Sequence, residues 1–356
     1  MLQFIRFINI YNNVTNYYQK TKEKTMNNKT LRQAVKDWIK DPIDAAKKWG
    51  GPIQEWDTSC VTDMQRLFQG YRHFNDDIGE WNVSKVTNMK YIFSGAFAFN
   101  QPIGAWDTSQ VTDMGFMFSD ARSFNQPIQD WDVSNVMDMG YMFSGARSFN
   151  QPIQDWDVSN VMDMGYMFSG ARSFNQPLGN WNTSRVTTME YMFNGASSFN
   201  QPIQDWDTSN VTYMDFMFWD ACSFNQPIGE WNTLKVKSME FMFCGARIFN
   251  QSLNQWNLSR IKDMDKDYMF HGAYEYSQPI QPCFSSPSPQ DSDSEDIIFN
   301  NTFKHTLSSF VFLEFIGAFT TLPEEEAIII TKEEIWLDQL KDVEIIVYLI
   351  FQFAYK

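Results

Sequence analysis

SFNQPIQDWDVSNVMDMGYMFSGAR occupies residues 123–147, and residues 148–172 repeat all 25 letters without a change. The pattern continues on both sides of this pair, with tryptophan as its most regular member. An uninterrupted repeat of this kind predicts an architecture in which each unit packs only on its neighbours. One tryptophan marks each of nine units at a constant interval: Trp56, Trp81, Trp106, Trp131, Trp156, Trp181, Trp206, Trp231 and Trp256.

The apolar residues of one unit predict its local structure. In the unit of Trp131, the residues Val136, Met139 and Phe143 have the three- to four-residue spacing of one helix face, and Ser134 precedes them as an N-cap. The stretch after this helix contains a proline, which favours the entry or edge of a strand. We therefore expect an α/β repeat fold, a leucine-rich-repeat-like right-handed solenoid with one short strand and one short helix per 25-residue coil.

Residues that recur in every unit point in the same direction in every coil, which favours a structural role. We interpret the tryptophans as a core row packed with methionine. We interpret the asparagine that follows phenylalanine in each unit as a ladder satisfying backbone groups of adjacent coils. The alternatives are a ligand platform of tryptophans and a polar ligand strip of asparagines. The predicted core residues are Trp106, Trp131, Trp156, Trp181, Trp206, Asn125, Asn150, Asn175, Met114 and Met139.

An aspartate or asparagine follows each of the nine tryptophans. Carboxylates stacked about 5 Å apart repel each other, and asparagine relieves this repulsion in four of the nine units. We expect these residues to form Asx turns that lead into the serine cap. Calcium held between neighbouring carboxylates such as Asp132 and Asp157 is the alternative.

Positions that differ between units are where a repeat array carries recognition. Arginine recurs at one such position in several units, where it either binds an acidic strip on a partner or pairs with nearby aspartates in solvent. Trp219 is an extra tryptophan within the array, which either anchors a partner or packs on the next coil. The candidate partner-binding residues are Trp219, Arg122, Arg147, Arg172 and Arg247.

The charge balance narrows the class of partner. The formal net charge is −15, from 28 basic and 43 acidic residues. Binding to phosphate backbones needs clustered lysine and arginine, so we expect no nucleic-acid partner. The charge also argues against anionic membrane surfaces, and it fits a basic partner or a cation. No apolar run reaches the roughly 18 residues that a transmembrane helix needs.

Catalytic chemistry has no recognisable signature in this sequence. The three histidines are scattered, and the four cysteines lack the spacing of a zinc site or a disulfide framework. No nucleophile elbow, zinc-protease, phosphate-loop or dinucleotide pattern occurs. A repeated residue is a poor catalyst, because chemistry needs one special constellation. We predict no enzyme activity, no cofactor and no metal site.

The sequence changes character at both ends of the array. Thr30 predicts the N-cap of one helix, and the pair Asp41-Pro42 predicts the start of a second. A linker that is rich in Pro, Ser and Asp follows the repeats. The predicted organisation is a poorly ordered extension over 1–29, a helical cap over 30–52, nine repeats over 53–282, a linker over 283–296, and a helical or poorly ordered segment over 297–356.

The unit FNQPIGAWDTSQVTDMGFMF resembles the repeat of BspA-type leucine-rich-repeat surface proteins, which occur in bacteria such as mycoplasmas and listeriae. The preceding segment AVKDWIKDPIDAAKKWGGPIQEWD resembles the one that often leads into such arrays. The resemblance covers about residues 31–280. It implies a solenoid with a surface-exposed adhesion or binding role, and it implies no catalytic residues.

These observations predict a non-enzymatic repeat scaffold for protein–protein interaction, with surface adhesion as the form that the resemblance suggests. A surface protein that binds glycans or calcium is the alternative function. The sequence shows no clear secretory signal, lipoprotein cysteine or wall anchor, so the location stays undetermined.

Overall fold

The computed structural model describes residues 25–261 and 268–278. These ranges hold the predicted cap and almost all of the predicted repeats. Most of the predicted N-terminal extension, the linker over 283–296 and the segment over 297–356 lie outside the described residues.

Two helices precede the repeats. Helix α1 spans Asn28–Lys40, and Asn27 caps it by accepting hydrogen bonds from the N–H groups of Lys29 and Thr30. Thr30 Oγ1 accepts the N–H of Asn27 in return, which completes a capping box. The helix therefore starts before Thr30, the N-cap expected from the sequence, because Asn27 offers its side-chain oxygen three residues earlier.

The second helix closes the cap onto the first unit. Helix α2 spans Pro42–Trp49, with Asp41 as its N-cap and Gly50 as its C-cap at φ 88°. A short 3-10 helix, Ile53–Glu55, leads into the first repeat. Trp38 of α1 meets Trp56 edge to face, with ring centroids 5.7 Å apart. The cap thereby continues the aromatic interior of the array.

Tight turns make up each unit. In the unit of Trp131, the N–H groups of Met142, Ser144 and Ala146 each donate to the carbonyl three residues earlier, over 3.0–3.1 Å. The intervening N–H groups point to the next unit. Those of Met139, Tyr141, Phe143 and Gly145 donate to carbonyls of that following unit, over 2.6–3.1 Å. Backbone groups are thus satisfied alternately within and between units.

Consecutive units pair in parallel along one line. Among the described residues, seven isolated parallel bridges join eight units. Each bridge links the residues that lie seven positions after tryptophan: Asp63, Asn88, Asp113, Asp138, Asp163, Thr188, Tyr213 and Ser238.

The local structure of the units differs from the one strand and one helix expected in each. The described repeats between residues 56 and 261 contain turns and single bridges, with no α-helix and no extended strand. Tyr141 has φ 59° and Gly145 has φ 70°, and a right-handed helix excludes both values. The apolar spacing therefore belongs to successive three-residue turns. This finding corrects the predicted helix and strand.

Aromatic columns fill the interior. Phe143 stacks on Phe168 of the next unit, with ring centroids 5.7 Å apart, and on Phe149 of its own unit at 3.9 Å. Phe149 stacks in turn on Phe174 at 5.9 Å, and Trp156 contacts Phe143 at 6.3 Å. All five rings are buried. Burying large rings supplies most of the favourable free energy available to such a unit.

Candidate functional site

The predicted core tryptophans lie inside the array. All five are between 3% and 4% exposed, and Met114 and Met139 are fully buried. Each indole is also tied to the unit before it. Trp156 Nε1, for example, donates to the Ile128 carbonyl over 3.2 Å. The ring faces are occupied by neighbouring rings, so this row offers no open platform for a ligand.

The asparagines form a ladder at the edge of the interior. Asn150 Oδ1 accepts the N–H of Asn175 over 2.9 Å and Gln176 Nε2 over 3.0 Å. The N–H of Asn150 donates in the same way to Asn125 Oδ1 over 2.9 Å. These asparagines are half-buried. Their side-chain oxygens are therefore engaged by the protein itself.

The row after tryptophan forms Asx turns on the surface. Asp132 Oδ1 accepts the N–H of Ser134 over 3.0 Å and its hydroxyl over 2.6 Å. The hydroxyl and then the N–H of Ser134 lower the pKa of Asp132. Among the described residues, no group of three or more His, Cys, Asp or Glu side chains is arranged to hold a metal ion.

The candidate arginines divide into two kinds of environment. Arg122, Arg147 and Arg172 occupy equivalent places in successive units. The N–H of Ser148 donates to the Arg122 carbonyl, and the N–H of Ser173 donates to the Arg147 carbonyl, both over 3.2 Å. Arg147 and Arg172 are exposed. Arg122 is half-buried, with its guanidinium 4.0 Å from the centre of the Phe97 ring. The structure therefore brings the three arginines into one row, but gives Arg122 a packing contact as well.

Trp219 lies against the surface of the array. It is half-buried, with its ring 5.2 Å from Phe216 and 6.5 Å from Phe241. Asp220, the residue after Trp219, donates its N–H over 2.8 Å to the carbonyl of Cys244, three residues before exposed Arg247. Trp219 and Arg247 thus belong to one neighbourhood, which lies further along the array than the row of the other three arginines.

A second aromatic column, which the sequence analysis missed, runs along the outside. Its members lie ten residues after tryptophan, except for Tyr268 after the irregular last unit, and all are half-buried. Neighbouring rings stack with centroids 4.1–5.2 Å apart. The recurrence of Tyr or Phe at this position was the available signal. This outer aromatic column consists of Tyr91, Phe116, Tyr141, Tyr166, Tyr191, Phe216, Phe241 and Tyr268.

An acidic row runs beside this column. Every member is half-buried, and each comes from a different unit. Its last three members each directly precede a ring of the column in sequence. Burial is the largest cause that raises the pKa of Tyr141, and the charges of Asp163 and Glu190 raise it further. We call this set the acidic row: Asp113, Asp138, Asp163, Glu190, Asp215 and Glu240.

The acidic row keeps its continuity although its sequence position shifts. Asp163 lies seven residues after tryptophan and Glu190 lies nine after, a step of two residues along the backbone. Where aspartate occupies the first position, its carboxylate accepts the N–H of a glycine two residues later, as Asp163 does from Gly165 over 2.8 Å. A Cβ on Gly165 would stand 3.1 Å from that carboxylate oxygen. The glycine thereby makes room for the inner aspartate.

A family model matches the chain over three overlapping stretches, residues 39–152, 123–206 and 176–284. Its description is "Mycoplasma protein of unknown function, DUF285", and the three stretches together span more than half of the sequence. The chain belongs to this family. The overlapping matches confirm that tandem repeats organise this DUF285 member. Comparison with curated proteins and with solved structures gives no match.

Two further observations bear on what this DUF285 chain can do. Within the described residues, none of the helices is long and apolar enough to cross a membrane. Burial raises the pKa of Cys244 to about 12, so its thiol stays protonated at neutral pH. A protonated thiol is a poor nucleophile.

Neutralising Asp163 is expected to stabilise the protein at neutral pH. Burial and then the nearby charge of Asp138 raise the pKa of Asp163, so the folded state disfavours its ionised form. Asp163→Asn should therefore raise the free energy of unfolding at pH 7 by about 0.5–1 kcal/mol, the scale of a like-charge pair across strands. Asparagine suits this position, because Asn88 occupies it in another unit and accepts the N–H of Lys90.

The pH dependence supplies the check on this stabilisation. Because the folded pKa lies above the unfolded one, the penalty for ionising Asp163 is absent below the unfolded value of about 3.9. The advantage of Asp163→Asn should shrink as the pH falls towards that value. Thermal melts of both proteins from pH 7 to pH 4 measure it, and an advantage that grows on acidification would contradict the assignment.

Proposed function

We propose that this DUF285-family chain is a non-enzymatic repeat scaffold for protein–protein interaction, built as a leucine-rich-repeat-like solenoid. The contacts that support a solenoid are the backbone hydrogen bonds and ring stacks that repeat from unit to unit. The resemblance to BspA-type leucine-rich-repeat surface proteins adds surface adhesion as the form of this interaction.

The contrast between interior and surface carries the proposal. The buried Trp, Met and Phe positions keep their residue type from unit to unit. Outside, the place that Arg122 holds in its unit is taken by Phe97 or Ser197 in others, and the place of Ser144 is taken by Trp219. A constant interior with a varied surface is how repeat arrays separate stability from recognition.

The outer aromatic column favours a protein ligand over a glycan. Tyr141 and Tyr166 stack with an interplanar angle of 8°, and Phe116 stacks on Tyr141 at 9°. Rings stacked in this way cover each other's faces. A sugar that needs an open ring face finds none between neighbouring rings of the column, whereas side chains of a protein can pack against ring edges.

The test is the recovery of partner proteins by the immobilised full-length chain from extracts of its source organism. We expect Trp219→Ala, and a triple Arg122→Ala, Arg147→Ala, Arg172→Ala variant, to lose at least one specific partner by about tenfold, equivalent to about 1.4 kcal/mol. Arg185→Ala is the control, because Arg185 is exposed, lies outside this arginine row and bonds to Asn160 in the neighbouring unit.

The outcome decides between the candidate functions. Unchanged recovery by both variants would remove these residues from the interaction. Binding of calcium in calorimetry, or of sugars on a glycan array, with no specific protein recovered, would favour the alternative of a glycan- or calcium-binding surface protein.

A further inference from the structure

The acidic row is neutralised by the protein's own cations towards its N-terminal end. Lys90 Nζ lies 2.9 Å from Asp138 Oδ2 and 3.4 Å from Asp113 Oδ2, so one ammonium group spans carboxylates from two successive units. Nearer the cap and outside the acidic row, Arg32 of α1 pairs over 3.0 Å with Asp63, which holds the position of Asp113 in the first unit. In this part of the array, basic side chains of the protein therefore pair with the carboxylates on the surface.

Further along, three carboxylates of the row have no such partner among the described residues. Within the described residues, neither Asp163, Glu190 nor Asp215 forms an ion pair with a lysine or arginine. Burial and then the charges of Asp215 and Asp163 raise the pKa of Glu190. Half-buried carboxylates of the same sign in adjacent units are thus left to repel one another.

The surroundings of these carboxylates suit a long basic side chain. Met162, which directly precedes Asp163, is 41% exposed. Tyr213, which lies two residues before Asp215 in the line of parallel bridges, is 39% exposed, and Lys237 Nζ lies 5.8 Å from the centre of its ring. Lysine and arginine lay their aliphatic stems on such apolar surface while the charged end stays polar. At the N-terminal end, the guanidinium of Arg66 lies 4.8 Å from the centre of the Tyr91 ring of the outer aromatic column. That contact shows the same chemistry within the chain.

We propose that the face formed by Asp163, Glu190 and Asp215 with Met162 and Tyr213 docks an extended basic segment of a partner protein. This inference rests on the proposed function, because it names the chemistry of one partner of the scaffold. Lysine or arginine side chains of the segment take the place that Lys90 takes across Asp113 and Asp138. Charge complementarity with the carboxylates of Asp163, Glu190 and Asp215 selects the occupant.

The repeat spacing restricts the sequence of that segment. Parallel-paired units lie about 4.8 Å apart, so carboxylates in alternate units are about 9.6 Å apart. Three residues of a polyproline II segment span about 9.3 Å and complete one turn, so every third side chain lies on the same side. Basic residues at every third position of such a segment therefore match alternate carboxylates, whereas basic residues at every second position, about 6.2 Å apart in this conformation, do not.

The experiment measures binding of fluorescent peptides to the full-length protein by anisotropy at low ionic strength. Two peptides have the same composition, with three lysines among serines and glycines, spaced every third or every second residue. We expect the first peptide to bind several-fold more tightly than the second, and its binding to weaken with added salt.

Two triple variants separate the face from overall charge. Asp163→Asn, Glu190→Gln and Asp215→Asn together should weaken binding of the first peptide by about tenfold. The control combines Asp107→Asn, Asp157→Asn and Asp207→Asn, which removes the same charge from the Asx-turn row. Asparagine already holds that position in Asn82 and Asn182. Thermal melts establish that both variants are folded, and we expect the control to bind like the unchanged protein.

Equal binding by both variants would overturn the proposal, because overall charge would then explain the peptide affinity. Absence of peptide binding to the unchanged protein would also overturn it, as would binding of calcium alone at these carboxylates. Recovery of partner proteins distinguishes failure of this docking face from failure of the proposed function. If specific partners are recovered equally by the chain with and without the Asp163, Glu190 and Asp215 changes, the scaffold stands and only this docking face is wrong.

Discussion

Replacing Trp156 with alanine is expected to lower the free energy of unfolding by about 3–5 kcal/mol, the usual cost of removing a large aromatic ring from a packed interior. Trp156 is 4% exposed and packs on Phe143 at 6.3 Å. Its Nε1 also donates to the Ile128 carbonyl, and alanine would leave that buried oxygen without this donor. Urea denaturation followed by tyrosine and tryptophan fluorescence measures the loss.

The destabilisation caused by Trp156→Ala should first affect the units next to the substitution. Each unit contacts mainly its two neighbours, so a cavity at Trp156 weakens the interfaces on either side before it reaches the ends. Hydrogen exchange should increase most in the units of Trp131, Trp156 and Trp181. A uniform increase from the cap to the last unit would contradict this arrangement of nearest-neighbour contacts.

Met162→Thr is the matched control, six residues after Trp156 in the same unit. Met162 is 41% exposed, and threonine occupies its place in other units, where Thr187 Oγ1 donates to the Met162 carbonyl over 3.1 Å. We expect a change within about 0.5 kcal/mol, the usual range for surface substitutions. If Trp156→Ala lowered the free energy of unfolding no more than this control, burial of the tryptophan row would not contribute to stability.

The period and the direction of the repeated side chains could be predicted from the sequence, because recurrence at a constant interval is visible in the letters. Trp156, Met139 and Phe143 return in every unit, and residues that must pack on their own copies belong inside. The helix prediction failed for a physical reason. Apolar residues three and four apart fit both a helix face and successive turns.

The backbone angle φ distinguishes a helix from successive turns, and the residue types do not indicate its value here. Tyr166 has φ 57°, in the left-handed region where glycine or asparagine is expected. An aromatic residue at this position does not indicate a left-handed conformation from the sequence. Its N–H donates to the Glu190 carbonyl over 2.8 Å, and its ring stacks on Tyr141 and Tyr191. The interactions between units thus offset a cost that a single unit would not tolerate.

The acidic row was hidden for a related reason. Asp163 and Glu190 occupy different positions of the repeat, so a comparison of equivalent letters assigns them to different rows. They align only when the hydrogen bonds are known, because Asp163 Oδ1 accepts the N–H of Gly165, which holds the position of Glu190 in its own unit. The ion pairs of Lys90 with two units required the same knowledge, since its partners lie 23 and 48 residues away.

Replacing Asn150 with alanine is expected to lower the free energy of unfolding by about 1–2 kcal/mol, the cost of leaving partly buried donors without an acceptor. Asn150 Oδ1 accepts both the N–H of Asn175 and Gln176 Nε2. The backbone N–H of Asn150 keeps its own bond to Asn125 Oδ1, so the defect is confined to one step of the ladder. Urea denaturation gives the energy, and hydrogen exchange at the Asn175 amide reports the lost bond directly.

Asn150→Asp separates the acceptor from the amide. Aspartate keeps an oxygen for the Asn175 N–H and for Gln176 Nε2, and its neighbours in the ladder, Asn125 and Asn175, carry no charge. We therefore expect Asn150→Asp to retain protection of the Asn175 amide and to cost less than Asn150→Ala at pH 7. Equal losses for the two variants would mean that the Asn150 NH₂ group stabilises the ladder. The asparagines would then be required as amides, and the acceptor oxygen alone would not explain why they recur in the array.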